Sequence, residues 1–151
     1  MGTDDKFELI FSDVLTEIIS TISGFSFEVI SGEDDKSFED MIGVMSLNGK
    51  SNIMLFISAK ETDMRILCSY MTGIPQDEVT KNDTEDALCE LVNMAAGSAK
   101  LRLGGSDYVY TLSPPFAVKG ENMSIVAKNK ARVISKVLGN GEISVKLKLV
   151  H

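Results

Sequence analysis

The stretch Glu85-Asp-Ala-Leu-Cys-Glu-Leu-Val-Asn-Met-Ala-Ala-Gly-Ser-Ala99 decides how this chain is read. Asp86, Glu90, Asn93 and Gly97 follow one another at intervals of four, three and four, which sets all of them on one face of an α-helix. Leu88, Leu91, Val92, Ala95 and Ala99 fall on the opposite side and mark it as the core face. A carboxylate and a carboxamide are thereby presented together, away from the core. Gly97, one turn beyond Asn93, has no side chain to obstruct an approaching partner. The same spacing occurs at Asp13, Glu17, Ser20 and Gly24, a constant 73 residues earlier. Two related halves, each led by a long helix, are the expectation.

Working outward, the stripe helix is expected over 83–103. It starts near Asn82 or Asp83, with Asn82 and Glu85 spaced as a capping box, and stops at Gly104-Gly105. A first amphipathic helix is expected over 7–23, with Phe7, Ile10, Phe11, Val14, Leu15, Ile18 and Ile22 on its apolar face and Gly24 as its stop. Between the two come a short strand at 25–30, a polar loop at 31–36, and strands at 41–47 and 53–58. Asn48-Gly49 joins the last two as a hairpin, because both residues tolerate positive φ. A shorter helix over 61–72 ends at Gly73 and Pro75, and 76–81 is a connector.

After the stripe helix the pattern is β-rich. A strand at 108–112 is broken by Pro114-Pro115, and turns fall at 120–122 and 139–141. Ile143, Val145, Leu147 and Leu149 alternate with Ser144, Lys146 and Lys148, the reading of a strand with one wet face. Residues 143–150 are also the candidate exposed edge. Strands that follow in sequence through tight turns give an α+β fold, an antiparallel sheet packed with two long helices and a shorter one. Residues 1–151 read as one domain with an internal repeat.

Composition bounds the function. With 151 residues, 44% of them hydrophobic and 25% charged, the chain can bury a core without disulfides or metal. No run approaches the ~18 apolar residues of a membrane span, and the acidic N-terminus lacks a signal-peptide pattern. Cys68 and Cys89 lie in helical patterns and form no C-x-x-C, as expected for reduced thiols in a cytoplasmic protein. A net charge of −7 argues against nucleic-acid binding. The charge is uneven: residues 1–90 hold 6 Lys/Arg against 19 Asp/Glu, and residues 91–151 hold 9 against 3. That basic part is either ordinary solvated sheet or a flank steering an acidic protein surface toward the stripe.

Several chemistries are closed. His151 is the only histidine and stands last in the sequence, which argues against a Ser–His or Cys–His nucleophile. No His/Cys cluster has zinc spacing, and there is no P-loop or dinucleotide fingerprint. Glu90 and Asp86 share one exposed face, the wrong shape for a glycosidase cleft. An Asp, a Glu and an Asn on the wet face of a helix can be plain solvation. Their other use is to enter another protein's active site, where a carboxylate pairs with a lysine and an amide orients a water.

Asp86-x3-Glu90-x2-Asn93, continuing Met-Ala-Ala-Gly97-Ser-Ala, resembles the signature of the CheC/CheX/FliY phosphatases of bacterial chemotaxis. The likeness extends over most of the chain, through the N-terminal helix, Asn48-Gly49 between strands and the prolines some twenty residues after the signature. Pro115, or Pro114, stands near the family's proline position. The resemblance implies a phosphatase of phosphorylated CheY-like receiver domains. Glu90 would pair with the receiver's active-site lysine and Asn93 would position water against the aspartyl phosphate. Asp86, Gly97 and Lys100 would contact the partner, and Mg2+ would belong to the receiver, with no cofactor of the chain's own. Ser20 stands where a second active helix would carry Asn. CheX keeps one such motif and is a homodimer, so CheX is the nearer resemblance. The rival reading is a non-catalytic receiver-binding or flagellar-switch module using the same helix face.

Overall fold

A computed structural model describes residues 2–31, 35–104 and 109–151. Helix α1 spans Thr3–Ser23, longer than expected at its start, and buries Phe7, Phe11, Val14, Leu15 and Ile19 at helical spacing. It ends at Gly24, whose φ of 75° only glycine adopts without strain, with the Gly24 N–H on the Ser20 carbonyl. Strands β1 (Glu28–Ser31), β2 (Met41–Asn48) and β3 (Ile53–Ala59) follow, then α2 (Glu61–Thr72). A 3-10 turn at Gln76–Glu78 leads to α3 (Lys81–Leu103), and then come β4 (Thr111–Leu112), β5 (Phe116–Lys119), β6 (Val133–Gly139) and β7 (Ser144–Val150). The 32–34 part of the expected polar loop, Gly105 and Tyr108 lie outside the described residues.

The seven strands form one antiparallel sheet in the order β1-β6-β7-β3-β2-β4, with β5 also on β2. The order reads the same from either end if β1, β2 and β3 are exchanged for β4/β5, β6 and β7. The central pair β3 and β7 meets around Phe56 opposite Lys148. Helices α1 and α3 pack on each other, and α2 packs on both. The side chains of Met45, Leu47, Ile53, Leu55, Ile57, Leu147 and Leu149 share one core with the buried helix residues.

Four expectations are corrected. The strand at 143–150 is not an edge: β7 lies between β6 and β3, and the outer strands are β1 and β4/β5. Its lysine face is not wet either. Residues 35–39 cross the back of the sheet, and Lys148, fully buried, donates to the Asp35 carbonyl and, at 2.7 Å, to Ser135 Oγ. Burial pushes the Lys148 ammonium down from the usual lysine range. Lys146 Nζ lies 3.0 Å from Asp35 and 3.4 Å from Glu39. The Ser37 hydroxyl and N–H, with help from Lys146, hold the Asp35 carboxyl far below the ordinary range.

The hairpin between β2 and β3 forms as expected, with Leu47 opposite Ile53, yet neither Asn48 nor Gly49 takes positive φ. Glycine is required at 49 for space, since a Cβ there would stand 2.7 Å from the Val109 carbonyl and 3.2 Å from the Tyr110 ring. Lastly, only Thr111–Leu112 of the expected 108–112 strand pairs with β2 among the described residues. Pro114-Pro115 interrupts an outer strand that resumes as β5, and Ser113 keeps contact across the gap through its N–H on the Ser46 carbonyl at 2.9 Å.

Candidate active site

Helix α3 is fixed at its start by Thr80 and Asp83, not by Asn82 and Glu85. The Thr80 hydroxyl accepts from the Asp83 N–H at 3.0 Å, and the Asp83 carboxylate accepts from the Thr80 N–H at 2.9 Å. The Thr80 N–H, and after it the Thr80 side chain, hold the Asp83 carboxyl below its ordinary value. The competing pair is engaged elsewhere: Asn82 Nδ2 donates to Asp86 at 3.3 Å, and Glu85 pairs with Lys119 of β5. At the sheet, Gly43 lets the helix lie close, because a Cβ there would stand 3.1 Å from Leu88 Cγ and 3.3 Å from its carbonyl oxygen.

The expected core face is buried: Leu88, Leu91, Val92, Ala95 and Ala99 are all covered. Opposite them, Asp86, Glu90 and Asn93 are exposed, and Gly97 and Lys100 are half-buried on the same ridge. Nothing lies within 4 Å of where a Gly97 side chain would begin, so the ridge has an open notch one turn past Asn93. Among the described residues neither Glu90 nor Asn93 has a hydrogen-bond or ion-pair partner, and both side chains are available.

The first stripe is arranged differently. Asp13 and Glu17 are exposed on α1, but Glu17 pairs with Arg102 of α3. Ser20 Oγ accepts from the Phe27 N–H at 3.1 Å and ties the helix end to the chain that leads into β1. The residues at the Glu90 and Asn93 positions of this half are thus used within the fold.

Charge follows the same division. Glu17–Arg102, Glu85–Lys119, Glu8–Lys136 and Asp35–Lys146 each join an acidic residue of the first part to a basic residue of the second. Three of these pairs, Glu17–Arg102, Glu8–Lys136 and Asp35–Lys146, join the two halves and engage part of the basic excess within the fold. Lys100 remains on the ridge.

The ridge has no strong nucleophile. Cys89 is half-buried, and burial, with Asp86 and Glu85 nearby, pushes its thiol up. Cys68 is buried under α3 with its thiol on the Asp83 carbonyl, also pushed up by burial. The His151 ring stands edge-on to Phe7 of α1, 5.0 Å between centroids. What the ridge can do is insert a carboxylate and an amide, side by side, into a partner.

Residues 41–137 match the family described as chemotaxis phosphatase CheX. The chain belongs to the CheX family. Solved structures share its fold. A CheC-like superfamily protein from Shewanella sp. PV-4 superposes with a TM-score of 0.78 at 22% identity, covering 99% of this chain and 98% of that one. The chemotaxis protein CheX from Vibrio vulnificus gives 0.81 at 18% identity, over 95% and 97%. A chain of the CheX–CheY–BeF3–Mg2+ complex from Borrelia burgdorferi gives 0.80 at 16% identity, over 96% and 97%. No curated protein matches the chain. The α+β fold expected from the sequence, an antiparallel sheet with two long helices and a shorter one, is the fold of these CheX proteins.

Proposed function

We propose that this CheX-family protein hydrolyses the aspartyl phosphate of a CheY-like receiver domain in chemotaxis or a related two-component pathway. The observation that carries the reading is the pair Glu90 and Asn93, one turn apart, exposed and without partners among the described residues, beside the open notch at Gly97. Glu90 pairs with the receiver's active-site lysine and fixes the approach. Asn93 enters the receiver site, where its amide both accepts from and donates to a water held in line with the phosphorus. The water oxygen bonds to phosphorus, the bond to the aspartyl oxygen breaks with its electron pair, and the water proton passes to phosphate. Such a reaction gains from positioning and charge, which suits a ridge without a nucleophile. Asp86 and Lys100 extend the contact on either side, and Gly97 leaves room for it. The Mg2+ belongs to the receiver, as the composition of the Borrelia burgdorferi complex supports.

The site lies within one domain spanning 1–151, built from two duplicated halves of which only the second is active. The strand order, unchanged on exchange of the halves, supports that duplication. The protein acts in the cytoplasm; among the described residues no helix is long and apolar enough to cross a membrane. It works as a homodimer through the outer strand β4/β5, where Phe116 and Val118 are half exposed beside unpaired backbone.

The rival is a non-catalytic receiver-binding or flagellar-switch module with the same docking face. Phosphate release from a pre-phosphorylated CheY-like receiver separates them. A phosphatase clears many equivalents of receiver per protein, whereas a binding module changes phosphate loss only at stoichiometric amounts.

A further inference from the structure

Two apolar side chains on α3 stand out beside the ridge. Leu101 is 81% exposed and Met94 37% exposed, on a helix whose core face is otherwise covered. They are seven residues apart, so at about 100° per residue they lie within about 20° of each other, and Met94 is about 40° from Glu90. They therefore form a shoulder on the Glu90 side of the stripe, with the Gly97 notch between them, while Lys100 lies toward the Asn93 side. Isolated exposed leucines are common on protein surfaces. This pair differs because of what must cover it. A specific protein contact occupies about 600–800 Å² per partner, a footprint with a radius of about 14–16 Å. Leu101 is about 12 Å along the axis from Asn93. A partner that seats its reaction centre on Asn93 therefore reaches the whole shoulder. The polar stripe, one side chain wide, cannot supply that area alone.

We infer that Met94 and Leu101 form the apolar part of the receiver-docking surface and set affinity for the receiver without entering the chemistry. The inference rests on the proposed receiver phosphatase reading and adds to it the residues that hold the substrate. The shoulder touches the receiver away from the phosphoryl group, so its contacts are equal in the ground and transition states. Such uniform binding appears in KM and not in kcat.

The test compares wild type with Leu101→Ser and Met94→Ala, with Asn93→Ala in parallel. Binding is measured with a CheY-like receiver loaded with Mg2+ and beryllium fluoride, and turnover with the phosphorylated receiver. Each shoulder variant is expected to raise Kd and KM about tenfold, as truncating an anchoring interface side chain does, with kcat within about twofold and thermal unfolding unchanged. Asn93→Ala is expected to lose kcat and keep Kd. Shoulder variants with wild-type Kd and KM overturn the inference while leaving the phosphatase reading standing. If wild type binds the receiver without turnover, the phosphatase reading falls and the Kd comparison decides the shoulder. If wild type does not bind the receiver, both fall.

Discussion

Glu17 and Glu90 are the same residue type on corresponding turns of two helices, yet they do different work. Glu17 is paired with Arg102 and Ser20 holds the Phe27 N–H, whereas Glu90 and Asn93 have no partner among the described residues. Replacing the first pair should therefore touch stability and spare turnover. Glu17→Ala with Ser20→Ala removes an exposed ion pair and one side-chain hydrogen bond, a loss of about 1–2 kcal/mol together. Turnover of the folded double variant is expected to stay within about twofold. A hundredfold loss in steady-state assays, with the fold preserved, would mean that the first stripe is active. Glu90→Lys should behave oppositely, because it sets two lysines against each other at the interface. Receiver binding, followed by calorimetry or fluorescence, is expected to weaken at least tenfold, with Glu90→Gln milder. An unchanged isotherm would remove this helix face from the docking surface. The stripe was legible in the sequence because helical spacing alone decides which side chains share a face. The fate of Glu17 was not, since Arg102 reaches it across 85 residues of chain.

Among the elements, α2 and the β2–β3 hairpin lie at or near the bounds the sequence predicts, since local signals set them: Gly73 at φ 79° ends the helix, and Asn48-Gly49 separates two apolar runs. Other readings failed where two local signals competed or where the deciding neighbour was remote. Thr80-x-x-Asp83 and Asn82-x-x-Glu85 both satisfy the capping pattern, and the structure uses the first because Asn82 and Glu85 are engaged with Asp86 and Lys119. Lys148 looked wet because its cover, residues 35–38, comes from the other end of the sequence. Gly43 carried no local signal, although it sets the height of α3 over the sheet. Gly43→Val forces its branches against Leu88 and is expected to cost about 1–3 kcal/mol, as overpacking does. Gly43→Ala should be milder. Urea midpoints measure both, and a Val variant as stable as wild type would show that α3 is not held at this contact.

For the molecule as a whole, the class of fold was legible from the order of helices and strands, but the sheet order was not. Local pattern cannot tell that β7 pairs with β3 and lies in the middle, so the sequence pointed to the wrong edge. The β4/β5 edge instead presents Phe116 and Val118, 50% and 40% exposed, for the proposed homodimer. Light scattering at micromolar concentration is expected to give twice the 16.4 kDa chain mass. Phe116→Asp with Val118→Asp should shift it toward the monomer, and a wild-type monomer would contradict the assembly. The uneven charge also finds its use at this scale, in the ion pairs Glu17–Arg102, Glu8–Lys136 and Asp35–Lys146 that join the two halves. This leaves the Glu90–Asn93 ridge, in the second half alone, to meet the receiver.

That ridge is tested most directly by single-turnover and multiple-turnover phosphate release from a phosphorylated CheY-like receiver, comparing wild type with Asn93→Ala. Asn93 is exposed and makes no contact needed for folding, so the variant should unfold at the wild-type temperature and still bind the receiver. Its turnover is expected to fall by about two orders of magnitude or more, the loss that follows removal of a group that positions the attacking water. An Asn93→Ala protein that binds the receiver and releases phosphate as fast as wild type would contradict the account.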